Sequence, residues 1–337
     1  MFWPAQSILK PVWIMRVAAL WTVAVLLLLS AWVTAPVAGD HALAGHKNAA
    51  PPLPPIPDQL WFGVWGSSWA GGKAPVGADS HNFTSLVWDI YDDAVIEQQG
   101  GPSLRFLYQV GQFFYAGVAR NPVLYPDYQA RFHRAVPKLR RLLQQQKILG
   151  FMLGDEAVDK GLSTDDWETI IQTVRAAFPR GTAIIYANDF VCHEPNCTSH
   201  GKPCPCIEHI PAALDWISSA TYRTNSSSGF IGSVIRASYE DHIYPKLSPH
   251  HKVAVIPEAG SSDFCDHECM ARIELQDAKD TVAWAHNDSR VALIAPFLWS
   301  YHNKCDGHGC DQGMKEMSGA DDLRKYYGAL GRSTKHP

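Results

Sequence analysis

The chain has 337 residues, 46% hydrophobic and 18% charged, with a formal net charge of -4. That is ordinary globular composition with ample material for a core. The small negative charge argues against a nucleic-acid partner.

In chain order, the N-terminal segment comes first. Lys10 and Arg16 precede an apolar run from Val17 to Val33, interrupted only by Thr22 and Ser30. Small residues follow, and Ala42-Leu43-Ala44 offers an A-x-A cleavage site. The pattern predicts a signal peptide over residues 1–44, with a type II signal anchor as the alternative. Either way the remainder is translocated, so any membrane contact is through this segment alone. PPLPPIP at 51–57 is stiff and extended, and residues 45–58 read as a linker. The globular part is expected over residues 59–331, with a tail at 332–337.

Within it, short apolar runs alternate with helical patterns. The candidate strands are Leu60–Trp65, Ser85–Trp88, Arg105–Val110, Ile148–Leu153, Ala183–Tyr186, Trp216–Thr221, Lys252–Ile256 and Val291–Leu298. Several are continuously apolar, as strands buried on both faces are. Between the fourth and fifth, Ser163-Thr-Asp-Asp166 reads as a helix start. Trp167, Ile170, Ile171, Val174 and Phe178 follow at helical spacing, and Pro179 and Gly181 end the run. Phe132, Val136, Leu139 and Leu143 form a similar stripe. The accompanying Arg131, Arg134, Lys138, Arg140 and Arg141 read as a solvated basic face. Later helices are expected over 230–244, 269–284 and 323–330. Asp92 and Asp93 read as helix-start carboxylates. Eight strand–helix units predict one α/β domain, a (β/α)8 TIM barrel of parallel strands. An open doubly wound sheet is the rival, but no Gly-rich phosphate loop follows the first strand.

All eight cysteines lie after residue 190, in three clusters: Cys192, Cys197, Cys204 and Cys206; Cys265 and Cys269; Cys305 and Cys310. In an oxidising compartment an even number predicts disulfides stapling the loops after the fifth, seventh and eighth strands. Pairing within each cluster is the simplest scheme, though connectivity does not follow from sequence. Nearby histidines raise zinc, but the spacings do not match paired C-x2-C patterns. Four sequons, at Asn82, Asn196, Asn225 and Asn287, fit a glycosylated secreted or lumenal protein.

Two runs carry the candidate chemistry. GFMLGDEA ends a strand with Asp155 and Glu156, and VAVIPEAGS places Glu258 after another. Carboxylates at the C-terminal mouth of parallel strands sit where a barrel keeps its active site. Two of them on separate strands fit the paired acids of glycosidic-bond cleavage. Gln109 at the third strand end and Asn188 at the fifth are candidate hydroxyl-binding groups. Trp65 follows the first. Twelve Trp residues either fill the core or offer sugar-stacking faces.

This layout resembles the (β/α)8 glycoside hydrolases with glutamates after strands 4 and 7, as an architecture across the whole globular part rather than one assignable family. The resemblance implies Glu156 as acid/base and Glu258 as nucleophile. It implies that Tyr222 hydrogen-bonds the nucleophile and that Trp299 stacks on a sugar. One departure is Asp155, where those enzymes have Asn. An Asp-Glu pair is similar to the substrate-assisted hexosaminidase arrangement, in which Asp orients an acetamido group. Asp155 is also expected to raise the pKa of Glu156, since like charges disfavour ionisation. The expectation is therefore a secreted glycoside hydrolase, retaining, with a carbohydrate substrate and no cofactor or metal. The alternatives are an inactive carbohydrate-binding barrel and a metal-dependent hydrolase. The latter lacks an H-x-H or H-E-x-x-H motif.

Overall fold

The computed structural model describes residues 52–63, 83–90, 92–116, 121–192, 198–199, 202–203, 206–219, 231–257, 260–261, 267–297, 312–313 and 319–334. Eight strands build one parallel sheet: β1 (Trp61–Phe62), β2 (Leu86–Ile90), β3 (Arg105–Gln109), β4 (Ile148–Asp155), β5 (Ile184–Asn188), β6 (Trp216–Ser218), β7 (Lys252–Val255) and β8 (Val291–Ile294). Their order is β1-β8-β7-β6-β5-β4-β3-β2, so every strand after β1 lies beside its sequence neighbour. A parallel bridge between Gly63 and Leu86 joins β1 to β2. Ser85 N donates to Phe62 O at 2.9 Å, and Phe62 N donates to Ser85 Oγ at 3.0 Å. The sheet thereby curls into the predicted α/β barrel, and all eight candidate strands find their place in it.

Side chains alternate between two cores, which explains why the strands read as continuously apolar. Trp61, Leu86, Trp88, Leu107, Leu149, Ile184, Tyr186, Trp216, Ala254 and Leu293 pack inside the barrel. Phe62, Val87, Phe106, Tyr108, Ile185, Ile217, Val253 and Ile294 point outward against the helices. Each large side chain so buried contributes about 1.5–3 kcal/mol of transfer free energy. The five described tryptophans (Trp61, Trp88, Trp167, Trp216 and Trp284) are all buried, so core filling accounts for them.

The described helices of seven residues or more are α1 (Asp93–Gln99), α2 (Tyr128–Gln144), α3 (Thr164–Ala177), α4 (Ile231–Ser238), α5 (His267–Asn287) and α6 (Asp321–Thr334). Asp92 caps α1, its Oδ1 accepting from Ala94 N and Val95 N. Ser163 caps α3, its Oγ accepting from Asp166 N at 3.1 Å, and Trp167, Ile170, Ile171 and Val174 are buried. In α2 the buried stripe is Phe132, Ala135, Leu139, Leu142 and Leu143, and Pro137 lies within the helix. Its basic face is tied to acids nearby: Arg131 to Asp127 at 2.7 Å, Lys138 to Asp93 at 2.8 Å, and Arg141 to Glu97. Exposed pairs of this kind contribute about 0–1 kcal/mol each. No described residue forms a helix between β1 and β2 or between β5 and β6. The latter connection instead carries a short antiparallel pair, 198–199 with 202–203, and a bridge between Val191 and Ile207.

Cys192 and Cys206 form a disulfide in that connection, as expected for a stapled loop after the fifth strand. Cys197, Cys204, Cys265, Cys305 and Cys310 lie outside the described residues, as does the side chain of Cys269. The same holds for the predicted N-terminal segment and for the Asn82, Asn196 and Asn225 sequons. Asn287 is described: it is exposed at the end of α5, and its Nδ2 donates to Ala283 O at 2.7 Å. No helix among the described residues is long and apolar enough to cross a membrane.

Candidate active site

β4 is the longest described strand of the barrel, and its end carries Asp155 and leads into Glu156. Gly154 adopts φ 147°, and a Cβ there would lie 1.9 Å from the Tyr115 hydroxyl. That hydroxyl donates to Leu153 O at 2.9 Å. Two residues on, Glu156 holds φ 52°, a left-handed conformation that is costly for a side chain of its size. Strain of this kind, on the order of 1–3 kcal/mol, persists only where surrounding contacts impose it. Here Glu156 N donates to Asn188 O on β5 at 2.8 Å, and Glu156 O accepts from Lys160 N at 2.8 Å.

The Asp155 carboxylate is anchored at both oxygens. Oδ1 accepts from Asn188 Nδ2 at 2.7 Å, and Oδ2 accepts from Lys160 Nζ at 2.9 Å. Lys160 Nζ also donates to the Asp155 carbonyl at 2.8 Å. The network continues inward. Asn188 Oδ1 accepts from Ser218 Oγ at 2.7 Å, and Ser218 Oγ lies 2.6 Å from the Tyr186 hydroxyl. Three neighbouring strands thus share one buried polar chain, in which each member has a partner.

Glu156 differs from its neighbour. Its side chain is 22% exposed, and Oε2 lies 3.6 Å from Lys160 Nζ. Burial, followed by the charge of Asp155, raises its pKa above the usual carboxylate range, with Lys160 opposing. The expected like-charge effect is present, but burial is the larger cause. Lys160 is itself held protonated, since Asp155 and Glu156 outweigh the cost of its burial. A raised pKa on a carboxyl beside an anchored Asp155–Lys160 pair is the direction of shift that a general acid requires.

Gln109, at the end of β3, is buried. Asn188 is also buried, and both ends of its amide bond protein partners. Glu258, Tyr222, Trp299 and Trp65 lie outside the described residues. β7, which leads towards Glu258, is separated from β4 by β6 and β5 in the sheet order. Lys160, Ser218 and Tyr186 were not singled out by sequence reasoning. Lys160 had a signal, four residues beyond Glu156, where helical and turn spacing brings an acid and a base together. Ser218 and Tyr186 had none, being polar atoms inside apolar strands. Among the described residues, no three His, Cys, Asp or Glu side chains are grouped to hold a metal ion.

No family model and no curated protein sequence matches the chain. Solved structures do resemble it. An uncultured Clostridium sp. beta-glucuronidase superposes with TM-score 0.53 at 9% identity, covering 82% of this chain and 53% of that one. A GH5_18 structure from Bifidobacterium longum subsp. infantis gives TM-score 0.51 at 12% identity, covering 83% and 80%. The Faecalibacterium prausnitzii beta-glucuronidase gives 0.51 at 12%, covering 85% and 50%. The chain therefore spans about half the length of the two glucuronidases. These likenesses establish a shared barrel fold with glycoside hydrolases.

Proposed function

We propose that this chain hydrolyses glycosidic bonds of a polysaccharide or glycan, with Glu156 as the general acid. The observation that carries the reading is the half-buried Glu156, its pKa raised by burial and by Asp155, directly after β4 and beside a fixed Asp155. Glycoside cleavage passes through an oxocarbenium-like state. One carboxylic acid protonates the leaving oxygen, and a carboxylate on the other side of the sugar attacks or activates water. We assign that second role to Glu258, with retention as the expected stereochemistry. Tyr222, Trp299, Trp65 and Gln109 are the proposed sugar contacts. Resemblance to glycoside hydrolase barrels supports the same reading.

Both Asp155 oxygens are occupied by Asn188 and Lys160, which favours an orienting, charge-setting role over direct capture of an acetamido group. Secretion or residence in the secretory lumen follows from the same proposal. The Cys192–Cys206 disulfide supports it, because such bonds persist in oxidising compartments. The proposed organisation is a leader over 1–44, a linker over 45–58 and a C-terminal tail over 332–337, with N-glycans at the four sequons.

The test is turnover of a panel of 4-nitrophenyl glycosides and soluble polysaccharides by the full chain, with Glu156→Gln and Glu258→Gln alongside. Each variant is expected to lose about 10²–10⁴-fold in kcat with the fold retained. Undiminished turnover in Glu156→Gln refutes the assignment. Lys160, by pairing with both carboxylates, favours a second reading as a carbohydrate-binding barrel without turnover. In that case no substrate is cleaved, and Glu156→Gln barely alters glycan affinity.

A further inference from the structure

We propose that Asn188 and Asp189 act as a clamp across the β4–α3 turn, with Asp189 the positioning residue that holds Glu156 in its working conformation. The inference rests on the reading of Glu156 given above for its functional meaning, but not for its geometry. The turn from Glu156 to Leu162 carries no regular secondary structure and starts from a left-handed residue. Within it Lys160 N, Gly161 N and Leu162 N donate to Glu156 O, Val158 O and Ala157 O, so the donors of Glu156, Val158 and Asp159 are left to be met from outside.

Two consecutive residues at the end of β5 meet them. Asn188 O accepts from Glu156 N, and Asn188 Nδ2 donates to Asp155. Asp189 Oδ2 accepts from Val158 N at 2.8 Å, and Oδ1 accepts from Asp159 N at 3.2 Å and from Phe190 N at 3.1 Å. Asp189 N donates onward to Ser218 O at 3.1 Å, which ties the clamp to β6. Residues 155, 156, 158 and 159 are all held from β5. Three donors converge on two oxygens, so the site suits a group that only accepts. An amide in the same place turns a donor towards one of the N–H groups.

The side chain is 1% exposed. Burial outweighs the three backbone donors and lifts its pKa to about 7, with Asp159 adding to the rise. Nothing about the core requires an acid so costly to bury; the turn it clamps does. The charged groups acting on Glu156 across the same turn are Asp155, Lys160 and Asp159.

The experiment is NMR on the full chain, deuterated and labelled at Asp and Glu carboxyl carbons and at backbone nitrogen. In the wild type, the amide signals of Val158, Asp159 and Phe190 should shift with the same midpoint as the Asp189 carboxyl. In Asp189→Asn, the Glu156 carboxyl should titrate with a moved midpoint. Val158 and Asp159 should exchange about tenfold faster, while Val255 and Ile294 stay unchanged. Amides indifferent to Asp189 titration in the wild type overturn the clamp, and that result stands even if the variant does not fold. An unmoved Glu156 midpoint, or exchange rising equally throughout the barrel, overturns the positioning role. Turnover by Glu156→Gln separates the two readings. If turnover survives there while the NMR couplings hold, the general-acid assignment fails and the clamp remains.

Discussion

At the scale of single residues, Gly-Asp-Glu has two separate origins. Asp155 and Glu156 carry the proposed chemistry, whereas Gly154 is there because its φ of 147° and the Tyr115 hydroxyl leave no room for a Cβ. Gly154→Ala should therefore cost about 2 kcal/mol or more, from backbone strain plus the displaced Tyr115 bond to Leu153 O. Urea denaturation checks the loss; an unchanged midpoint contradicts it. The carboxylates at this strand end were legible from sequence because Gly-Asp-Glu follows a long apolar run directly. Their partners were not. Asn188 and Ser218 arrive from β5 and β6, 33 and 63 positions downstream of Asp155, and only strand pairing reveals them.

At the scale of elements, local signals were reliable wherever the causing residues are neighbours in sequence. Ser163 caps α3 as its spacing to Asp166 predicts. Ser163→Ala should destabilise the fold by about 1 kcal/mol, read as a lowered Tm, since it leaves an N-terminal donor of α3 without its side-chain acceptor. The basic stripe of α2 is a surface stripe, but it is pinned to α1 through Asp93 and Glu97, a contact no periodicity reveals. The β5–β6 connection departs from the strand–helix rhythm. The Cys192–Cys206 disulfide closes it with a sequence separation of 14, and Cys192 N also donates to Ile207 O at 2.9 Å. Removing a cross-link over a loop of that length costs about 3 kcal/mol. Mild reduction should lower Tm and loosen this connection while far-UV circular dichroism of the barrel persists. It should also harm substrate binding before unfolding, because this loop adjoins the strand end that carries Asn188. Unaltered activity and Tm after verified reduction of this bond run against that placement.

At the scale of the whole molecule, two buried titratable groups oppose one another. His251 is held neutral, its pKa pushed down to about 4 by burial and by the adjacent His250. Its Nδ1 accepts from Ser248 N, and Nε2 lies 3.2 Å from Pro211 O. A depressed histidine contributes stability that is present above its unfolded value of about 6.5 and lost as pH falls from there to about 4. Asp189 runs the other way. Its raised pKa means the folded state favours the protonated acid. That contribution is present below about 3.9 and is lost as pH rises to about 7. Between pH 4 and 7 the two slopes have opposite sign. Folded Asp189→Asn should consequently lose stability faster than wild type as pH is lowered through this window. His251→Gln should lose it more slowly. Denaturation midpoints at half-unit pH steps decide the matter; parallel profiles for all three proteins exclude the opposition.

The sequence by itself determined the barrel. Eight apolar runs of strand length, alternating with capped amphipathic stripes, leave few ways to bury every face, and each signal lies within about 20 residues of its cause. It also located the carboxylates at the end of β4, because a polar pair ending a buried run is visible locally. Only the tertiary structure decided how those carboxylates differ. Asp155 is fixed by Asn188 and Lys160, burial raises the pKa of Glu156, and Asp189 turns inward to hold the turn that follows them. Those distinctions depend on which strands become neighbours and how much water they exclude. Desolvation and hydrogen bonding are properties of the assembled strand ends, and no single segment carries them.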